Sequence, residues 1–348
     1  MKILISGASV AGPALARFLH RDGHRVTVVE RAPSLRRSGW AIDFRGTVFE
    51  VLEELGILAE VRAHATGITG TDLLDADGDR VGEWPPEVFS GELEVPKREL
   101  TRILHEHTAD AVRYVFGDSI NRIEQDEDGV RVGFERAEPD TYDLVVGADG
   151  IYSVVRRLVF GPHADAVRHL GLSGAGFSTA NHLHLDHRGA LWQIPGGRAS
   201  YLYSAADPDR MSASLFFATD SPALDLLSRA EQEQAIRERM ADVGRLMPRL
   251  LEDMAAADDF YFFSAAQVRV DRWSAGRVVL LGDAGYCASP TSGLGTSQAL
   301  IGASTLARHL AASGTDHTKA FEGYEREMRP YVTENQELGV EGAQRMAA

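Results

Sequence analysis

The chain has 348 residues, more than one simple core holds, so two domains sharing an interface are expected. Its 51 acidic residues outnumber 36 basic ones, and the net charge of −15 argues against nucleic-acid partners and anionic membrane surfaces. One cysteine, Cys287, cannot form an internal disulfide, and no apolar run nears the ~20 residues of a membrane span, so a cytoplasmic location is expected.

In chain order, residues 2–6 read as a buried strand ended by Gly7, and Val10 to Arg21 shows helical spacing of apolar positions. Arg25 to Glu30 is a second buried strand, so the first 30 residues form a parallel βαβ unit. Thr47 to Leu55 reads as a helix closed by Gly56. From Gly67 to Pro96 short alternating pieces predict a hairpin belonging to another sheet, and Lys97 to His107 is helical again. Val112–Phe116, Ile120–Glu124 and Val130–Phe134 read as strands, and Tyr142–Val146 returns to the parallel type. Residues 171–270 lose the βα alternation: antiparallel strands are predicted at Phe177–Leu185, Ala190–Ile194, Ser200–Tyr203, Met211–Thr219 and Phe260–Val268, with a helix over Ala223–Met240. Arg277–Leu281 is a buried strand, and helices are predicted over 293–312 and 316–337.

Three segments carry chemistry. Gly7-Ala8-Ser9-Val10-Ala11-Gly12 joins strand to helix, as a dinucleotide fingerprint does. Gly7 permits the tight turn, Ser9 is small where a pyrophosphate approaches, and Gly12 lets the helix pack on the strand. The helix N-terminus that follows offers free N–H groups to phosphate. Glu30, 23 residues after Gly7, stands where a carboxylate accepts from ribose hydroxyls. The second segment, Leu144-Val145-Val146-Gly147-Ala148-Asp149-Gly150, presents Asp149 after a buried strand, either at a ligand or as a helix cap. In the third, Gly282-Asp283 ends a strand and Pro290-Thr291-Ser292-Gly293-Leu294-Gly295 opens a long helix. Asp283 there suits a polyol hydroxyl, and the helix N-terminus suits negative charge.

In this order and spacing, the three segments resemble the FAD-dependent aromatic hydroxylases typified by para-hydroxybenzoate hydroxylase, and in particular the branch of tetracycline-inactivating monooxygenases. The resemblance implies an α/β fold: a Rossmann-like FAD-binding domain (1–70, 97–170 and 270–312), an inserted antiparallel or mixed β-sheet substrate domain (71–96 and 171–269), and a C-terminal bridging helix (313–348). It implies FAD as cofactor, NADPH or NADH as a transient reductant, O2 and an aromatic small-molecule substrate, with oxygen transferred through a flavin C4a-hydroperoxide and no side-chain nucleophile. By resemblance, Gly7, Ser9, Ala11, Gly12, Glu30 and Arg31 hold the ADP half, and Asp149 braces the FAD-binding edge. Asp43, Asp283, Pro290, Gly293, Leu294 and Gly295 surround the ribityl chain and the ring, Leu294 and Gly295 through their N–H groups. Lys97 stands where the family usually has Arg, so either Lys97 or Arg98 reaches the flavin. Arg36 falls where a relative uses Arg for the nicotinamide, and a solvated surface Arg is the alternative.

His182-Leu183-His184-Leu185-Asp186 would place His182, His184 and Asp186 on one strand face, either as substrate-pocket residues or as the polar side of a half-buried strand; no metal is expected. Trp192-Gln193-Ile194-Pro195 has only part of a flavin-dependent halogenase motif. A halogenase or reductase on the same fold, and a non-catalytic flavin-fold protein sequestering an intermediate, are the competing readings. A monomer or homodimer is expected.

Overall fold

Four of the five residues of strand Lys2–Ser6 are buried, as suits a parallel strand covered on both faces. A computed structural model of the chain describes residues 1–35, 40–88, 91–205 and 207–347. In it that strand is central in a six-stranded sheet, ordered Ser274–Ala275, Val278–Leu280, Leu144–Gly147, Lys2–Ser6, Arg25–Glu30 and Arg113–Phe116. All neighbours are parallel except the short Ser274–Ala275 edge. Helix Ala11–Arg21 buries Ala14, Leu15 and Leu19 in the same core as Leu300, Ala303 and Leu306 of helix Gly295–Ser313.

The predicted strand Tyr142–Val146 is two strands. Asp140–Tyr142 pairs antiparallel with Val130–Phe134, while Leu144–Gly147 joins the parallel sheet. Between them the Asp143 carboxylate accepts from Lys2 N–H at 2.6 Å, which fixes the change of direction.

A second sheet of seven strands runs Tyr261–Val268, Val167–Ala180, Arg210–Ala218, Arg198–Ser204, Arg188–Ile194, Thr71–Leu74 and Arg80–Trp84. It is antiparallel except where Thr71–Leu74 lies parallel to Arg188–Ile194, so the predicted hairpin after Gly67 does join another sheet. Its two faces differ. Phe177, Trp192, Leu202, Leu215 and Phe217 pack under helices Arg229–Met240 and Met247–Ala256. The alternate residues Leu172, Ala199, Tyr201, Phe216 and Phe263 meet Trp40 and the C-terminal helix's Met346 instead. Period-two alternation sorts the two sets.

The expected strand Phe177–Leu185 is corrected to Val167–Ala180. Asn181 turns the chain: its Nδ2 donates to Leu185 O (2.7 Å) and Pro208 O (2.8 Å), and its Oδ1 accepts from Leu185 N–H (3.0 Å). His184 and His187 then take positive φ values of 52° and 46°. The predicted helix 223–240 is a short 3-10 turn, Pro222–Leu226, followed by Arg229–Met240, which starts at a Ser228–Glu231 capping box. Met247–Ala256 is a helix absent from the predicted elements, although Met247, Leu250, Leu251 and Met254 have helical spacing. The last helix runs His317–Ala347, beyond the predicted 337 and through Pro330. Its C-terminal part is held by tertiary contact: Gly339 and Gly342 let its backbone touch Ala288 and Thr291.

Candidate functional site

The three motif segments converge at the ends of the parallel strands. A Cβ on Gly7 (φ 111°) would stand 2.3 Å from Ala148 O, so the first turn rests directly on the second segment. A Cβ on Gly12 would stand 2.0 Å from Gly7 O, so the helix can start here only with glycine. A Cβ on Gly282 would stand 3.3 Å from Ala11 Cβ, which brings the third segment against the first. Buried Arg156 ties second to third, donating to Ala284 O (2.7 Å) and Ile151 O (2.6 Å).

Two long helices open toward this junction without side-chain caps. Neither Ala11–Arg21 nor Gly295–Ser313 has a capping hydrogen bond or an acidic residue in its first turn. Their first N–H groups and dipoles therefore favour an anion. Ser9 is exposed at the first of them, with Ala11 and Gly12 buried behind it.

Glu30 braces the first turn. Its two carboxylate oxygens accept from Ala8 N–H and Ala32 N–H, both at 2.9 Å, with lone pairs to spare for hydroxyl donors. Arg31 is exposed beside it. Asp149 accepts from Ser6 Oγ (3.2 Å), Val154 N–H (2.9 Å), Val155 N–H (3.2 Å) and Ser153 Oγ. That is the helix-cap geometry. Burial raises its carboxyl, and the Ser153 and backbone donors oppose the rise.

Asp283 follows Gly282 (φ 63°) and lines the junction, its carboxylate within 4.0 Å of the point where a Gly295 Cβ would stand. Its accessible face opens to the junction, while desolvation by the surrounding protein raises its carboxyl and the Lys97 charge opposes this. Half-buried Lys97 is thus the cation on this side. Arg98, 58% exposed in its side chain, pairs with Glu99 at 3.4 Å. Cys287 is buried, its thiol pushed up by burial and by Asp283, which suits packing rather than reactivity.

Pro290 and left-handed Gly293 (φ 70°) are exposed in the loop, and Leu294 and Gly295 half-buried. Leu294 N–H already donates to Ser292 Oγ at 3.2 Å, so of the two expected charge-supporting N–H groups Leu294 has a protein partner. Asp43 lies across from Gly293, 3.8 Å from its Cβ direction, with Arg45 Nε donating to it at 2.9 Å. These residues fit a long anionic ligand with a polyol section: two uncapped helix ends, glycine turns that no side chain could replace, and carboxylates at separate points along the junction. FAD has that chemistry.

The histidines are not gathered here. His182 pairs with Asp253 at 2.6 Å on the helix-covered side of the sheet, and His184 is exposed in the turn after Ala180. Since the strand ends before them, the shared face expected for His182, His184 and Asp186 does not form. Arg36 lies outside the described residues. What sequence reading missed is the other sheet face: Tyr201 and Tyr203, with Tyr203 OH accepting from Ala41 N–H at 3.3 Å, and Glu94 nearby. The alternation Tyr201-Leu202-Tyr203 was the available signal.

Comparison with known proteins gives the family and the fold. The family described as FAD binding domain matches residues 1–337. An uncharacterized protein of Mycobacterium tuberculosis is 43% identical over 342 residues, 97% of this chain and 92% of that protein. A flavin-dependent monooxygenase of an unknown prokaryotic organism is 37% identical over 343 residues, covering 97% and 88%. The crystal structure of tetracycline destructase Tet(51) superposes with a TM-score of 0.90 at 32% identity, covering 99% of this chain and 91% of that one. No helix among the described residues is long and apolar enough to cross a membrane.

Proposed function

This chain belongs to the FAD-binding-domain family and is a flavin-dependent monooxygenase, an oxidoreductase, and on that premise we propose that it uses NADPH or NADH, with O2, to hydroxylate an aromatic or polyketide-like small molecule of the tetracycline kind. The overall change is substrate C–H plus O2, NAD(P)H and a proton to C–OH, water and NAD(P)+. FAD, when bound, supplies the hydride acceptance and the O2 activation.

The residues of the chain bind, orient and keep dry. The uncapped N-terminus of Ala11–Arg21 and the Gly7–Gly12 turn take the diphosphate, and Glu30 accepts from the adenosine ribose while holding Ala8 and Ala32. Asp149 keeps the second turn in place through its cap of Val154 and Val155. Asp283 accepts from the ribityl chain, with Lys97 beside it, and the uncapped start of Gly295–Ser313 favours negative charge on the reduced ring. Arg31, Pro290, Gly293 and Asp43 complete the lining. The substrate would enter beside the aromatic face of the second sheet, where Tyr201 and Phe216 pack with Trp40 and Tyr203 holds Ala41. Water reaching that space would divert O2 to H2O2 without product.

The observation that carries this reading is the convergence of three separated segments with two uncapped helix ends. The test is the visible absorbance of the purified protein, followed by NADPH and NADH oxidation and O2 uptake across phenolic compounds including tetracycline. A flavin spectrum with ligand-stimulated O2 uptake and a product heavier by one oxygen supports it. A flavoprotein that no aromatic compound stimulates would instead be the non-catalytic protein, and halide incorporation would make it a halogenase.

A further inference from the structure

One half-buried carboxyl group has no place in the chemistry above. Glu94 lies on strand Leu93–Pro96, directly opposite Asp43 on strand Ala41–Phe44. Residues facing each other across an antiparallel pair project to the same side with Cβ atoms about 5 Å apart. Thr66 holds Glu94 from the next loop: its Oγ1 donates to Glu94 Oε2 at 2.6 Å and its N–H to Glu94 O at 2.9 Å. On the sheet side Glu94 faces the phenols of Tyr201 and Tyr203, which burial raises first and which a charge on Glu94 would raise further. Arg98 reaches this corner only beside Tyr203, and Arg45 is engaged with Asp43. Among the described residues no Lys or Arg pairs with Glu94. Asp43 in turn borders Gly293 of the flavin loop.

Two facing carboxylates in a half-buried place do not both ionise at ordinary cost. Asp43 has a guanidinium partner and Glu94 only a neutral hydroxyl, so the shared proton belongs on Glu94. Burial, helped by the Asp43 charge, accordingly pushes Glu94 up to about 7.

We propose that Glu94 is the positioning residue for Asp43: it carries the proton of this pair so that Asp43 carries the single charge, and losing that proton loosens the hold on the flavin. The proposal rests on the flavin-binding reading above. When Glu94 ionises, a second negative charge enters the wall of a site that takes an anionic cofactor. A like charge brought into a partly wet anion-binding site weakens binding by on the order of tenfold.

The experiment is FAD titration of the flavin-free full chain, followed by flavin fluorescence, at pH 6 and pH 8, with the bound absorbance spectrum recorded at each. For the parent chain the Kd is expected to rise about tenfold from pH 6 to pH 8. Glu94→Gln keeps the shape and cannot ionise, so its Kd at both pH values should match the parent's at pH 6. Thr66→Val removes the donor that favours the ionised form, so the step should move to higher pH. A parent Kd that does not change, a Glu94→Gln variant that keeps the step or binds no FAD while folded, or a Thr66→Val step that stays in place overturns the proposal. A parent chain that binds no FAD even at pH 6 overturns the flavin reading itself, and this proposal with it.

Discussion

Gly339→Ala separates tertiary contact from helix propensity, because the two predict opposite signs. Gly339 lies inside helix His317–Ala347, where alanine alone would add about 1 kcal/mol of stability. A Cβ there would stand 2.0 Å from Ala288 O, against an ordinary contact of 3.4 Å or more. The helix must therefore retreat by about 1.4 Å or strain the loop, at about 1–3 kcal/mol. Retreat also breaks Thr291 Oγ1–Gly339 O (2.7 Å) and Gln336 Nε2–Cys287 O (3.3 Å), each about 1 kcal/mol. The net expectation is destabilisation of about 2–4 kcal/mol, a fall in Tm of roughly 3–5 °C for a chain of this length. FAD affinity should fall as well, since Pro290 and Gly293 belong to the displaced loop. Calorimetry with and without FAD reads both effects. A variant as stable as the parent, or more stable, would refute the claim that this helix clamps the flavin loop.

Three further outcomes are expected. Asp149→Asn turns an acceptor toward Ser6, Ser153, Val154 and Val155 into a partial donor, and urea unfolding should show a loss of about 2–3 kcal/mol; an unchanged midpoint would show that the cap contributes nothing. Glu30→Gln sets an NH2 group against Ala8 N–H or Ala32 N–H, so the FAD Kd should rise about tenfold with little change in fold, as a titration checks. For Glu94 at about 7 against an ordinary 4.5, the folded chain keeps a proton that the unfolded chain releases. Stability should therefore fall as pH rises from about 4.5 to about 7 and level off above, by up to about 3 kcal/mol. Glu94→Gln lacks this fall, so the parent-minus-variant difference in urea stability should drop between pH 5 and pH 8; a constant difference contradicts it.

Local pattern made much of this protein legible. The strand–Gly7 turn–helix–Glu30 run, the buried strands before Asp149 and Asp283, and the glycine loop before the last two helices are short-range signals, since each is a backbone conformation that few residues tolerate. Ser200–Tyr203 and Met211–Thr219 were legible as strands, which the structure gives as Arg198–Ser204 and Arg210–Ala218. Other features depend on partners distant in sequence. Asn181 ends a strand by bonding Pro208, so the histidines after it leave the sheet. The last helix continues past Pro330 because its glycines reach Ala288 and Thr291, and Arg156 joins two motifs through Ala284 O. Glu94 carries no local signal of its own; the two-stranded ribbon sets it opposite Asp43 and under Thr66. Sequence alone determines which conformations each stretch can adopt. Charge, burial and proton affinity were decided only by the tertiary structure, because they depend on what surrounds a group in space.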